Sequence, residues 1–258
     1  MGRINNFLVR GIKKKGVRIA LVVIAALLFI ILLCQRLDFM HQASLVVTDD
    51  FTDYTTIDID VETHDVTSKL DYDALKKAND DMAAIIRIAG TIEEPIVQAL
   101  DNRTYERRTL FGEASSAGVP FIDEDSSIET TNTIIWGHSS KYRDVLFTDL
   151  MNYKNQEFYE KNSVFKLETE KTIDTYRIFS IFLFDVDGST GSIHFLTSQW
   201  SKPALFQLSL DDIVDRSMYD TGISVSNKDK LCTIVTCDTA SDNLRLILVA
   251  KRIEVKTK

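Results

Sequence analysis

Cys237 and Arg245 flank the gap between two apolar runs, Lys230-Leu231-Cys232-Thr233-Ile234-Val235-Thr236-Cys237-Asp238 and Asp242-Asn243-Leu244-Arg245-Leu246-Ile247-Leu248-Val249. The first run is β-branched and stops at a cysteine; the second restarts with an arginine near its head, so the pair reads as strand, turn, strand. Only Asp238 to Leu244 separate them. A parallel pair needs a crossover of about a dozen residues or more, so the connection makes an antiparallel hairpin. A thiol and a guanidinium thereby arrive at the same end of one sheet, and a fixed positive charge beside sulfur favours the nucleophilic thiolate. Each residue also has a plain structural reading. A cysteine closing an apolar strand is commonly a small buried hydrophobe, and an arginine there commonly lies along the surface with its head in water.

A third residue has two readings as well, a core or strand-end histidine satisfied by backbone, or a proton-transfer partner for the thiol. Asn132-Thr133-Ile134-Ile135-Trp136-Gly137-His138 is a further apolar strand, and it ends on a histidine. His41 and His64 fall in the juxtamembrane stretch, and His194 lies in an apolar run with no thiol partner suggested. Thr233-Ile234-Val235-Thr236-Cys237 resembles the Thr-Leu-x-Thr-Cys signature of sortases, with an arginine following on the next strand as in that family. Asn132 to His138 is similar to the family's strand ending in Gly-His, and Ser217-Met218-Tyr219-Asp220-Thr221-Gly222-Ile223 resembles the approach to the cysteine in class B. His138, Cys237 and Arg245 occur in the family's order. Ile234 stands for Leu, Val235 for a frequent class B Ser, and Trp136 for a common Tyr, departures that bear on substrate preference more than on activity.

The resemblance implies a mainly β fold with peripheral helices, a sortase-type closed β-barrel preceded by an N-terminal transmembrane helix. It implies a cysteine transpeptidase in which Cys237 is the nucleophile, His138 the general acid and base, and Arg245 the donor to the substrate carbonyl. Thr236 would shape the substrate pocket. The implied partners are surface proteins with a C-terminal LPxTG-like or, for class B, NPxTx-like sorting signal, cut after Thr. The acceptor would be a peptidoglycan-precursor or pilin amine. No cofactor and no metal enter this chemistry.

The elements that must position these groups begin with an anchor. Seven Lys/Arg and no acid occur in the first 36 residues, which leaves 23 basic against 38 acidic residues in the remainder, a balance of −15. That asymmetry argues against a nucleic-acid-binding domain. Ile19 to Cys34 is an unbroken run of 16 apolar residues, and Val17 with a snorkelling Arg18 extends it toward the roughly 17–25 residues of a membrane span. With the basic block on one side only, residues 1–16 are expected to be cytoplasmic, 17–36 a transmembrane anchor, 37–68 an extracellular stalk, and 69–258 the catalytic domain. The result is a single-pass protein of the cell membrane with its catalytic domain outside. Cys34-Gln35-Arg36-Leu37-Asp38 offers no small-x-small cleavage site, which favours an uncleaved anchor over a signal peptide.

Leu70 to Ala84 carries apolar residues at helical spacing, and Ile85 to Thr91 with Pro95 to Gln98 reads as two short strands. Val119 to Asp123 reads as an edge strand, Asp144 to Tyr153 and Gln156 to Asn162 as short helices, and Ser163 to Leu167 with Thr175 to Phe184 as a hairpin. Ile193 to Thr197 reads as another strand. Lys202 to Ser217 reads as a helix with Pro203 at its start; a helix at this point is a class B feature. Cys232 and Cys237 lie five residues apart on one strand, so they are about 16 Å apart on opposite faces and cannot pair. The four histidines lack ligand spacing and no Cys-x-x-Cys occurs. Two other functions stay open: a thiol peptidase of surface proteins or wall peptides, and a catalytically silent anchored adaptor.

Overall fold

The computed structural model describes residues 2–44, 46–59, 66–141, 143, 145–187 and 194–258, without the side chains of 2–20, 42, 43, 58, 59, 66, 67 and 242. The chain forms two units, Met1–Leu45 and Val46–Lys258. The first contains one helix, α1 (Gly2–Ser44). Within it Leu21–His41 is long and apolar enough to cross a membrane.

The second unit is built on an eight-stranded closed barrel, with a two-stranded hairpin beside it. The hairpin is β1 (Thr55–Ile59) and β2 (Val66–Leu70). The barrel strands are β3 (Met82–Ile88), β4 (Ile92–Val97), β5 (Phe121–Ile122), β6 (Asn132–Trp136), β7 (Val164–Glu168), β8 (Thr172–Asp185), β9 (Leu231–Asp238) and β10 (Ser241–Thr257). Around the barrel they run β10, β8, β7, β3, β4, β5, β6, β9. All neighbours are antiparallel except β4–β5 and β6–β9. The long β10 is interrupted in register with β8 between Val249 and Ala250 and between Arg252 and Glu254. Such irregularities bend a strand and help a twisted sheet to close.

β9 is buried on both faces, which is why its sequence is an unbroken apolar run rather than an alternating one. Cys232 and Ile234 join Leu246, Leu248 and Ile178 in the barrel interior. Leu231 and Val235 face the other way with Ile134, Ile247 and Val249, covered by Phe206, Leu210 and Ile213 of α4 (Pro203–Asp215). The other described α-helices of this unit are α2 (Tyr72–Ala78) and α3 (Gln156–Lys161), and Leu146–Lys154 is a 3-10 helix. Truncating one of the large core side chains to Ala costs about 2–5 kcal/mol.

Two expectations are corrected. The helix read over Leu70 to Ala84 is confined to Tyr72–Ala78, because Asp71 caps its start and Asn79 ends it. The Asn79 amide group is engaged by the Tyr105 hydroxyl at 2.9 Å and the Leu110 carbonyl at 2.8 Å, and Met82 onward pairs as β3. Of the strand read at Ile193 to Thr197, the described part contains a 3-10 turn, His194–Leu196. Phe195 is buried there against Phe182 and Phe184 rather than paired in a ladder. The chain from Val46 onward, which includes part of the segment read as a stalk, falls in the second unit. The Asp49 carboxylate accepts from Leu110 N at 2.5 Å, and the Ser115 hydroxyl donates to the Val47 carbonyl at 2.6 Å.

Candidate active site

The hairpin read from the sequence forms as expected, and it sets Arg245 directly opposite Cys237. Opposed residues of an antiparallel pair project from the same face with Cβ atoms about 4.5–5.5 Å apart. The guanidinium and the thiol therefore start from neighbouring positions without any loop having to bring them there. Arg245 Nη1 also donates to the Leu244 carbonyl at 3.1 Å.

The histidine strand lies on the other side of β9. β6 pairs with β9 in parallel up to Trp136 opposite Val235, and Gly137 N donates to the Val235 carbonyl at 3.1 Å. His138 and Cys237 come two residues and two residues beyond those points. Cys237 is thus flanked by Arg245 on one neighbouring strand and by the end of the His138 strand on the other. Gly137 is required where it stands, since a Cβ there would run into the Phe147 ring. The His138 carbonyl accepts from Phe147 N at 3.2 Å, which turns the chain away from the barrel just after the histidine.

His138, Thr236, Cys237 and Arg245 all line one cleft of about 330 Å³, whose apolar surface comes from Phe121, Trp136 and Val235. Cys237 is half-buried there, whereas Cys232 is fully enclosed and its thiol is pushed far up by burial. Thr236 is 2% exposed, and among the described residues its hydroxyl has no hydrogen-bond partner. Among the described residues no three His, Cys, Asp or Glu side chains are arranged to hold a metal ion.

Sequence reasoning missed a whole wall of this cleft, formed by Asn102, Arg103 and Glu106. Their segment is polar, carries no motif, and is placed by long-range bonds. Asn102 Nδ2 donates to Asp123 Oδ2 at 3.1 Å, and Trp136 Nε1 donates to the same oxygen at 2.6 Å. Gly118, at φ +64°, lets the Tyr105 and Glu106 carbonyls approach so closely that a Cβ would collide with both.

These neighbours also bear on the proton affinity of the histidine. Burial holds the His138 imidazole below its ordinary pKa, and the Arg107 and Arg245 charges push the same way. The Glu106 carboxylate and a hydrogen bond to its main chain oppose them. Beside Cys237, Asp238 is fixed by Lys154 Nζ at 2.5 Å and by Ala240 N at 2.8 Å.

Comparison with known proteins fits this geometry. Residues 86–253 match the sortase domain model. The chain is 30% identical to sortase B of Listeria monocytogenes over 171 residues, 65% of this chain and 67% of that protein. It is 25% identical to sortase B of Staphylococcus aureus over 189 residues, covering 71% of this chain and 75% of that protein. The Clostridium perfringens sortase B structure superposes with a TM-score of 0.65 at 26% identity, over 70% of this chain and 99% of that one. The structure of an S. aureus sortase B–substrate complex gives a TM-score of 0.65 at 25% identity, over 72% and 85%. The chain belongs to the sortase family of cysteine transpeptidases and is most similar to its class B.

Proposed function

We propose that Cys237, His138 and Arg245 carry out the transfer, on an LPxTG-like signal of the class B type, such as NPxTx. The observation that supports this most is the direct cross-strand pairing of Cys237 with Arg245, with the His138 strand as the other neighbour of β9. The Cys237 thiolate attacks the carbonyl carbon of the signal's threonine, and the carbonyl electrons move onto oxygen. Arg245 donates to that oxygen; its planar fork offers two parallel N–H groups where an ammonium offers a point charge. The tetrahedral species then expels the C-terminal amine, which takes a proton from the His138 imidazolium, and a thioester to Cys237 remains. An acceptor amine loses its proton to neutral His138 as it attacks the thioester. The thiolate departs, and a new amide forms on a cell-wall or pilin amine. Thr236, which lines the cleft, helps to shape the pocket that holds the signal.

α1 anchors the enzyme as a single span, with the N-terminus cytoplasmic and the catalytic unit outside. Support comes from the apolar stretch Leu21–His41 and from the basic block that precedes it. The protein should stay with membranes through a high-salt wash, since apolar burial does not depend on ionic strength. Release by salt alone would overturn the anchor.

The test of the chemistry mixes full-length protein with LPxTG-type and NPxTx-type peptides and with oligoglycine, a diaminopimelate stem peptide or a lysine-bearing pilin segment. Products are weighed by mass spectrometry. A new amide with one acceptor, lost in both Cys237→Ala and His138→Ala, supports the reading. A free threonine acid as the only product with every acceptor points instead to a thiol peptidase.

A further inference from the structure

The main-chain ladder between β6 and β9 stops one step short of the site. Its last bond is Gly137 N to the Val235 carbonyl at 3.1 Å. In a parallel pair, alternate residues bond to the partner strand, so a continued β6 would next offer Ser139 N to the Cys237 carbonyl. The chain has left the sheet by then. The His138 carbonyl accepts from Phe147 N at 3.2 Å, and Ser140 N donates to the Thr148 hydroxyl at 2.9 Å. The Ser139 side chain fills the missing rung, its hydroxyl donating to the Cys237 carbonyl.

Ser139 is thus joined to His138 by one peptide bond and to the main chain of Cys237 by one hydrogen bond. We propose that Ser139 is a positioning residue for this reaction, whose hydroxyl fixes the His138 imidazole relative to the Cys237 thiol. The inference rests on the assignment of His138 and Cys237 as the working pair. It goes further in giving a role to a residue that touches neither substrate nor reacting atom. The contacts to Phe147 and Thr148 hold the outer side of the loop, and the Ser139 hydroxyl ties its inner side to β9. Losing the hydroxyl therefore leaves the loop folded but frees the histidine to shift against the thiol. A misplacement of about 1 Å can cost up to about a hundredfold in rate.

The experiment compares full-length protein with Ser139→Ala and Ser139→Thr. Four quantities are read: melting temperature, kcat and KM for a cleavable sorting peptide, and the pH dependence of Cys237 alkylation without peptide. Ser139→Ala is expected to lower kcat about tenfold or more, with KM and melting temperature nearly unchanged. It should also shift or flatten the inflection in the alkylation profile that His138→Ala abolishes. Ser139→Thr, which keeps the hydroxyl, should restore both. Wild-type kcat and an unaltered profile in Ser139→Ala would overturn the proposal, as would a loss of kcat that merely tracks a fall in melting temperature. An alkylation profile of the unaltered protein that does not respond to His138→Ala would overturn the pairing itself, a failure visible before any serine variant is made.

Discussion

Arg245 is the cross-strand partner of Cys237, and the β9–β10 register is broken immediately beyond it, toward Ser241. The arginine therefore emerges from the last regular pair of the ladder, where the backbone is fixed by hydrogen bonds. A role in holding the developing oxyanion is geometrically specific, whereas a role as a surface cation is not. Arg245→Lys keeps the charge and loses the fork. It should lower peptide cleavage by about a hundredfold or more while the melting temperature hardly moves. Activity that falls only in proportion to lost stability would mark the arginine as structural.

The two thiols of β9 should behave oppositely. Cys237 is half-buried in the cleft, and Cys232 is sealed in the barrel interior with its thiol pushed up by burial. In the folded protein a small alkylating reagent should modify Cys237 much faster than Cys232, as read by peptide mapping. Comparable rates would mean that the strand opens or that the nucleophile is misassigned.

That opposition was legible in the sequence, since five residues along a strand reverse the face. So was the hairpin, because a seven-residue connection cannot cross over. The neighbouring of His138 and Cys237 was legible only through family resemblance. Their strands are far apart in sequence, and the parallel pairing of β6 with β9 follows from closure of the barrel. The Asn102 to Glu106 wall left no signal, for its place depends on Gly118, on Asp123 and on the Asn79 side chain, none of which forms a pattern with it. The turn at His194–Leu196 reads as a strand by composition alone; aromatic packing of Phe195 overrides that preference.

The charge beside the histidine gives a prediction in pH. Arg107 is exposed, yet it helps to hold the His138 imidazole below its ordinary pKa. Arg107→Gln removes that repulsion, so the limb of the pH–rate profile governed by His138 should move to higher pH. Salt should narrow the difference between variant and parent, because an exposed charge is screened over about 10 Å at 0.1 M ionic strength. The apparent values belong to the coupled His138–Cys237 pair, so the comparison is between whole profiles. A profile that does not move, at low salt, would mean that Arg107 does not act on the histidine.

Stability should depend on a carboxylate that lines a different cavity from the thiol. Glu94, on β4, lines a cavity of about 250 Å³ under the Val46-to-Asp49 segment, with Asp49 and Glu93 nearby. Burial first, then those two negative charges, raise its pKa to about 8, from an ordinary 4.5. A carboxyl group with a raised folded-state pKa favours the fold when it is protonated. Its contribution is fully present below about 4.5, declines as pH rises, and is lost by about 8. Glu94→Gln keeps the shape and removes the charge that must be buried at high pH. The variant should therefore melt at a higher temperature than the parent at pH 8 to 9, and the gain should shrink steadily toward pH 4.5. A gain independent of pH would assign the effect to packing, and a loss at pH 9 would show that the ionised carboxylate is held by a favourable partner.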